Sequence, residues 1–414
     1  MERSHGYNPF RYLRNDNDVQ RLVTNLFKAT TPKGSQSNDP FWDTTAQMLL
    51  MALVLYLHHE APEEEQNFAM VMDLLRAMDV PDMDDPPPSA VDLLFGELER
   101  KKPDHIALKY YRNYQSGAAK TLKSIQITLA SRLEKFNLEA VAALTMVDEL
   151  ELDAMGDRKT ALFAIIPDND TSFNFLVSML YTQLFQQLFH QADDKYHGAL
   201  PVPVHLIMDE FANVSLPDDF DKSLAVMRSR NVSVSILLQN LAQLKTLFPK
   251  NWESIMGNCD EFVYLGGNEQ STHKYVSELL GKATIDTNSY GRSRGRNGSY
   301  STNYQNSGRE LMTPDEVRML DNRDALVFLR GQRPIRDRKY DIRKHPNYAL
   351  SANGGAPPYL HGTSDLETAV ILPFDYQETN SQPEDNIETN LELLTGEELE
   401  QQLFHNLWRK SNET

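Results

Sequence analysis

Apolar residues follow two different periods along this chain. Beyond about residue 160, short apolar runs at 160–166, 204–208, 233–238, 261–267 and 325–330 read as strands, and the stretches 173–191, 218–231 and 241–256 carry the 3.6-residue spacing of helices. Strands alternating with helices predict a doubly wound α/β sheet, in which ligands sit at the carboxyl ends of the strands. Between 42 and 150 the pattern is helical, with an acidic, proline-rich loop at 81–88 between helices. The longest apolar run, 48–57, is too short to span a bilayer, and the first residues lack the layout of a signal peptide.

The run at 204–208 ends on Asp209 and Glu210, and the next strand ends on Gln239. An apolar strand delivering adjacent carboxylates is the Walker B pattern: one acid for a magnesium shell, the second toward an attacking water, because phosphoryl transfer depends on positioning and charge neutralisation. A buried strand entering an acidic turn is the alternative. The usual companion, Gly-x-x-x-x-Gly-Lys-[Ser/Thr], occurs nowhere in the 414 residues; Gly281-Lys282 is followed by Ala283, and 117–121 lacks the Gly-Lys pair. Turnover by these residues alone is therefore not expected.

An apolar fraction of 40% with 24% charged residues is ordinary for a globular chain, and the single cysteine, Cys259, excludes an internal disulfide framework and fits the cytoplasm. The net charge of −18 argues against a generally basic nucleic-acid binder, yet the charge is uneven. From 361 to 414, acids face only Arg409 and Lys410; the part through Asn390 reads as extended, and a short amphipathic helix starting near Thr395 aligns Leu399, Leu403, Phe404 and Trp408. By contrast, 100–135 is basic, with Lys101, Lys102, Lys109 and Arg112 interleaved with Tyr110, Tyr111 and Tyr114. Bases neutralise phosphates and tyrosines stack on unpaired bases, so this is the candidate DNA-binding segment, with a solvated helix face over core tyrosines as the alternative. The Gly/Ser-rich stretch 290–296, with Arg292, Arg294 and Arg296, leads into a polar run to Gly308 and reads as a mobile loop. The histidines show no zinc spacing.

Ordered matches run from Tyr7-Asn8-Pro9-Phe10 through Asp39-Pro40-Phe41-Trp42, Gly156-Asp157-Arg158-Lys159-Thr160, Asp209-Glu210, Arg228-Ser229-Arg230 and Leu280-Gly281-Lys282 to Lys344-His345-Pro346-Asn347-Tyr348. In these the chain resembles the TraG-like coupling proteins of type IV secretion, a conjugal DNA-transfer branch of the FtsK-related motors. The resemblance implies a RecA-like P-loop NTPase fold, incomplete at its N-terminus, with an inserted all-α domain. The implied division is 1–41 as a remnant of the nucleotide-binding domain, 42–150 as the all-α insertion, 151–350 as the nucleotide-binding domain and 351–414 as an acidic tail. Transmembrane helices and the phosphate loop of the family would precede Met1.

The implied cofactors are ATP and Mg2+. Asp209 would hold magnesium through water and Glu210 would orient or deprotonate the attacking water. Gln239 would sense phosphate state, and Arg228, with Arg230 as a substitute, would reach a neighbouring subunit's nucleotide. Asp168 and Asp170 most plainly cap the following helix. The implied function is recruitment of relaxase-bound single-stranded DNA and its translocation into a secretion channel by a homo-hexamer at the inner face of the cell membrane. A truncated paralogue acting as a non-catalytic DNA or relaxosome adaptor is the competing class.

Overall fold

A computed structural model describes residues 4–31, 40–78, 87–167, 170–213, 216–217, 220–292 and 300–357. Asn15 starts the first helix, α1 (Asp16–Thr30), its side chain accepting hydrogen bonds from the backbone N–H groups of Asn17 and Asp18. The next helix, α2 (Pro40–Glu60), is apolar around most of its circumference, with Leu49 through Leu55 and Leu57 buried, as a helix enclosed on several sides must be. It packs against α1 and, further along the chain, against α3 (Phe68–Ala77), α5 (Ile106–Gln115) and α6 (Ala119–Arg132). Between α3 and α5 runs α4 (Ala90–Lys101), started by a reciprocal capping box between Ser89 and Asp92. The helical run closes with α7 (Glu139–Met146). Among the described residues, no helix is long and apolar enough to cross a membrane.

The segment before α1 is tied into this layer. Tyr7 donates its backbone N–H to Leu144 O and its hydroxyl to Gln183 Oε1 at 2.6 Å, while Tyr12 Oη donates to Asp148 Oδ2 at 2.5 Å. Burial and then the Asp148 carboxylate push the Tyr12 phenol well above its usual range. Gly6 has no room for a side chain: a Cβ would stand 2.5 Å from Val147 O. An aromatic chain continues the seam, Phe10 edge-on to Phe68, Phe68 stacked on Phe136 at 4.3 Å, and Phe136 edge-on to Phe175. Phe175 lies on α8 (Asn174–His190), which packs along α1.

The strands begin after α8. Strand β1 (Val204–Met208) pairs in parallel with β2 (Val232–Ile236), Val204 opposite Val232 and Met208 opposite Ile236, across a crossover containing α9 (Phe220–Met227). After β2 come α10 (Leu241–Leu247) and α11 (Trp252–Asn258), two short helices where one is expected, separated around Pro249. Then follow β3 (Glu261–Tyr264), α12 (Gln270–Leu280), the long pair β4 (Lys282–Arg292) and β5 (Tyr300–Glu310), α13 (Pro314–Arg318), β6 (Asp324–Leu329) and β7 (Ile335–Arg338).

Three expectations change. The described strands form a parallel pair and, separately, an antiparallel sheet in the order β3-β6-β7, rather than one continuous ladder. The expected strand at 160–166 joins no ladder among the described residues; Leu162 packs against the core, whereas Phe163 and Ile165 are 84% and 95% exposed. Of the expected loop at 290–296, Tyr290 to Arg292 belong to β4, which pairs with β5, and 293–299 lie outside the described residues. The expected tail helix near Thr395 also lies outside the described residues, as does Asp168.

Candidate functional site

The entry to β1 is fixed first. Gly156 holds φ +88°, a backbone state in which a side chain is strained, and a Cβ there would come within 2.8 Å of Leu200. Its carbonyl accepts from Val202 N at 3.0 Å, and Asn231, left-handed at φ 62°, donates its side-chain amide to Leu200 O. These bonds align β1 with β2, so both strands end on the same side of the pair.

At that end the backbone turns sharply. Glu210 takes φ 48°, in the left-handed region that costs a residue with a Cβ about 1–2 kcal/mol. The turn is held from both directions: Leu237 N donates to Met208 O, Phe211 N donates to Leu237 O, and the Phe211 ring is fully buried. Asp209 and Glu210 are thereby presented to solvent while the residues on either side are anchored. Asp209 Oδ1 accepts the Glu210 backbone N–H at 3.0 Å. The Gln239 amide donates toward both Glu210 oxygens, at 3.3 and 3.2 Å, and Gln239 N in turn donates to Gln243 Oε1. Gln243 is a supporting residue that the sequence pattern did not single out; its place four residues beyond Gln239, on the first turn of a helix capped by Asn240, was the available signal.

The donor set suits magnesium. Both carboxylates are exposed hard oxygen donors, and magnesium binds by one or two carboxylates with substrate phosphates rather than in an all-protein cage. Among the described residues, no group of three or more His, Cys, Asp or Glu residues could hold a metal by itself. A cleft of about 1050 Å³ between α1 and α8 is lined by residues such as Arg21, Thr24 and Gln186 and includes none of Asp209, Glu210 and Gln239.

Arg228 is not brought to this end. It precedes β2 while Gln239 follows it, so a five-residue strand, roughly 16 Å, separates them along the chain direction. Its side chain is 84% exposed, with Nη1 3.7 Å from Asp260 Oδ2, and Asp260 Oδ1 is taken by Arg330 at 2.8 Å. Arg230 pairs with Asp193 at 2.7 Å and lies over the Phe189 ring. Asp170 Oδ1 accepts the backbone N–H of Ser172, a turn rather than a ligand geometry.

Three of the four bases singled out in the basic segment are paired with carboxylates. Lys101 pairs with Glu97 at 2.6 Å, Lys102 with Glu60 at 2.7 Å and Arg112 with Glu99 at 2.6 Å; Lys109 is exposed. Tyr114 is only 4% exposed and its hydroxyl accepts from Gln126, so it offers no face to a base. Tyr110 is half-buried, its hydroxyl 3.4 Å from Gln20 Oε1. Burial raises the Tyr114 phenol to about 12 and lifts the Tyr111 phenol still further.

The family model for type IV secretory system conjugative DNA transfer matches residues 1–353. The chain belongs to that family. It is 21% identical over 352 residues to the protein VirD4 of Rhizobium rhizogenes, covering 81% of this chain and 48% of that protein. It is 23% identical over 313 residues to the conjugal transfer protein TraG of Escherichia coli, covering 72% of this chain and 48% of the relative. The chain thus spans about half the length of the curated relatives it matches. Among solved structures it is similar to the bacterial conjugative coupling protein TrwBdeltaN70, with a TM-score of 0.55 and 18% identity over 82% of this chain and 72% of that one. TrwB in complex with ADP and Mg2+ matches with a TM-score of 0.53 and 17% identity over 83% of this chain and 73% of that one. The shared fold is RecA-like with an all-α part, as the sequence pattern and the resemblance lead one to expect.

Proposed function

We propose that this chain works in a conjugative coupling protein that takes relaxase-bound single-stranded DNA and drives it into a type IV secretion channel by ATP hydrolysis. The observation carrying the reading is the convergence of Asp209, Glu210 and Gln239 at the shared carboxyl end of β1 and β2. Bound ATP with Mg2+ supplies the transferable phosphoryl group and the charge that neutralises it. Asp209 is the residue to hold the metal, and Glu210 is the base or water-positioning group. Gln239 restrains the Glu210 carboxylate until a ligand competes for its amide. Arg228 serves a neighbouring subunit of a homo-hexamer rather than its own site, a role supported by its exposure at the opposite end of β2. In this reading 1–41 and 151–350 form the nucleotide-binding domain, 42–150 the all-α insertion and 351–414 a tail, with the assembly at the cytoplasmic face of the membrane. TrwB solved with ADP and Mg2+ supports the cofactor assignment by likeness of fold.

The second reading is a DNA or relaxosome adaptor without hydrolysis. Donor cells in a mating assay separate the two. Replacing Glu210 by Gln at the chromosomal or plasmid locus should reduce DNA transfer to the level of a gene deletion, because water activation is lost while the fold is kept. Deletion that abolishes transfer, with Glu210→Gln transferring normally, would instead establish the adaptor.

A further inference from the structure

The last strand of the antiparallel sheet carries a charge that the proposed chemistry does not use. Residues 330–344 hold seven bases against Asp337 and Asp341, in a chain whose net charge is −18. Every residue from Arg330 to Tyr340 and from Ile342 to Asn347 is exposed. Strand β7 pairs with β6 along one edge only, from Val327 opposite Ile335 to Asp324 opposite Arg338, and among the described residues no strand lies beyond it. The bases therefore stand on an open sheet edge rather than inside the fold.

Part of this charge is balanced and part is not. Arg330 pairs with Asp260 at 2.8 Å, Arg336 with Asp324 at 2.6 Å and Arg343 with Asp341 at 3.0 Å, while Lys339 Nζ donates to Leu265 O at 2.7 Å. Asp324 stands directly opposite Arg338, yet its carboxylate is taken by Arg336. The side chains of Arg333, Arg338 and Lys344 meet no carboxylate among the described residues. Arg333 precedes β7, Arg338 ends it and Lys344 closes the short helical turn Ile342–Lys344, so the unpaired charge is strung along the chain rather than gathered at one point. Tyr340 lies between the last two, 66% exposed. Spaced cations beside an uncovered aromatic ring match single-stranded nucleic acid, whose phosphates recur along the strand and whose unpaired bases stack. A membrane surface fits less well: a segment lying on lipid sets its bases beside a continuous apolar helical face, and 330–344 holds a strand and one three-residue helical turn.

We propose that Arg333, Arg338 and Lys344, with Tyr340, form a track for single-stranded DNA along the β7 edge. The inference rests on the DNA-handling role proposed above and adds a contact surface to it. Edge protection is the competing account, since charged side chains on an exposed edge strand keep it from pairing with another chain. That account covers Arg336 and Arg338, but Tyr340 and Lys344 lie beyond the strand.

The test uses the full chain and a fluorescein-labelled oligothymidylate, read by anisotropy across a salt series. Arg333→Gln, Arg338→Gln and Lys344→Gln together remove three charges from exposed positions; the slope of log affinity against log salt should fall by about 2, three phosphate contacts at about 0.7 each. A control with the exposed Lys159, Lys250 and Lys274 replaced by Gln makes the same change in net charge and should keep a slope close to the parent's. Tyr340→Val should weaken single-strand binding about fivefold or more with little change in slope, Tyr340→Phe should bind like the parent, and a duplex of the same length should not distinguish the two. The track is overturned, with the DNA role still standing, if the parent binds and either the triple Gln variant or Tyr340→Val binds like it, or if the control loses as much slope as the triple variant. Unchanged DNA binding with self-association of the triple variant in sedimentation would assign the bases to edge protection; unchanged DNA binding with lost binding to phosphatidylserine vesicles would assign them to a membrane. A parent chain that binds no oligothymidylate overturns both the track and the role it rests on.

Discussion

At the scale of single residues, Glu210 joins backbone strain to chemistry. Its left-handed φ of 48° costs about 1–2 kcal/mol in an L-residue, whereas glycine there would escape the strain but lose about 0.5–1 kcal/mol through a freer unfolded chain. The two effects nearly cancel. Glu210→Gly should therefore leave thermal stability almost unchanged while removing function, and Glu210→Val, whose branched Cβ suits this region least, should destabilise by a further 1 kcal/mol or so. Unfolding in denaturant measures both; a Val variant as stable as the Gly variant would mean that the turn relaxes. Sequence alone identified Asp209, Glu210 and Gln239 because a strand end has a local pattern. It did not place Tyr114, although the signal was present: Ala107, Leu108, Tyr111 and Tyr114 are spaced as one helix face, and that face is buried. Burial of this face is the core-tyrosine alternative that the sequence left open. Similarly, the partners of Lys102 and Arg112 lie 42 and 13 residues away, so composition showed a charge that folding cancels.

At the scale of elements, α12 depends on a cap that titrates. Glu269 accepts backbone N–H bonds from Ser271 and Thr272 and hydroxyl bonds from the same residues. Partial burial acts to raise its carboxyl, but the hydrogen bonds outweigh it and hold the group at about 2, below the usual 4.5. A folded-state value below the unfolded one means stability that is complete above about pH 4.5 and is lost as pH falls through 2. Glu269→Ala should cost about 1 kcal/mol near neutrality, as lost N-caps do, and the gap between the two proteins should narrow through that window. A gap independent of pH would show that the carboxylate is not what caps α12. Helices were the more legible elements because their 3.6 spacing and caps are local. Strands were less so: the run at 160–166 has the composition of a buried strand, but a strand exists only with a partner, and none meets it among the described residues. For β4 and β5 the error was opposite, since a polar Gly/Ser/Asn segment gives no alternation of hydrophobicity and its pairing is visible only in the backbone register.

At the scale of the whole molecule, one side of the β1–β2 pair is covered and the other is open. Leu206 and Met208 are buried, whereas Ile207 is 70% exposed and the His205 ring nitrogens sit 2.6 and 3.0 Å from the Ser233 and Ser235 hydroxyls on the same open side. Parallel sheets in α/β folds are normally covered on both faces, and exposed apolar groups of this kind favour association. Phe163 and Ile165 add two further apolar side chains with almost no cover. The purified chain should accordingly bind an apolar dye in its native state and self-associate as concentration rises. Replacing Phe163 and Ile165 by Ser should reduce both effects without lowering the unfolding temperature, because neither side chain gives up any burial in this fold. A clear fall in unfolding temperature, by contrast, would show that 160–166 is packed in solution as the strand its sequence describes. Dye fluorescence, sedimentation and thermal unfolding of the same two proteins decide between these outcomes, since exposure and packing shift the three readings in different combinations.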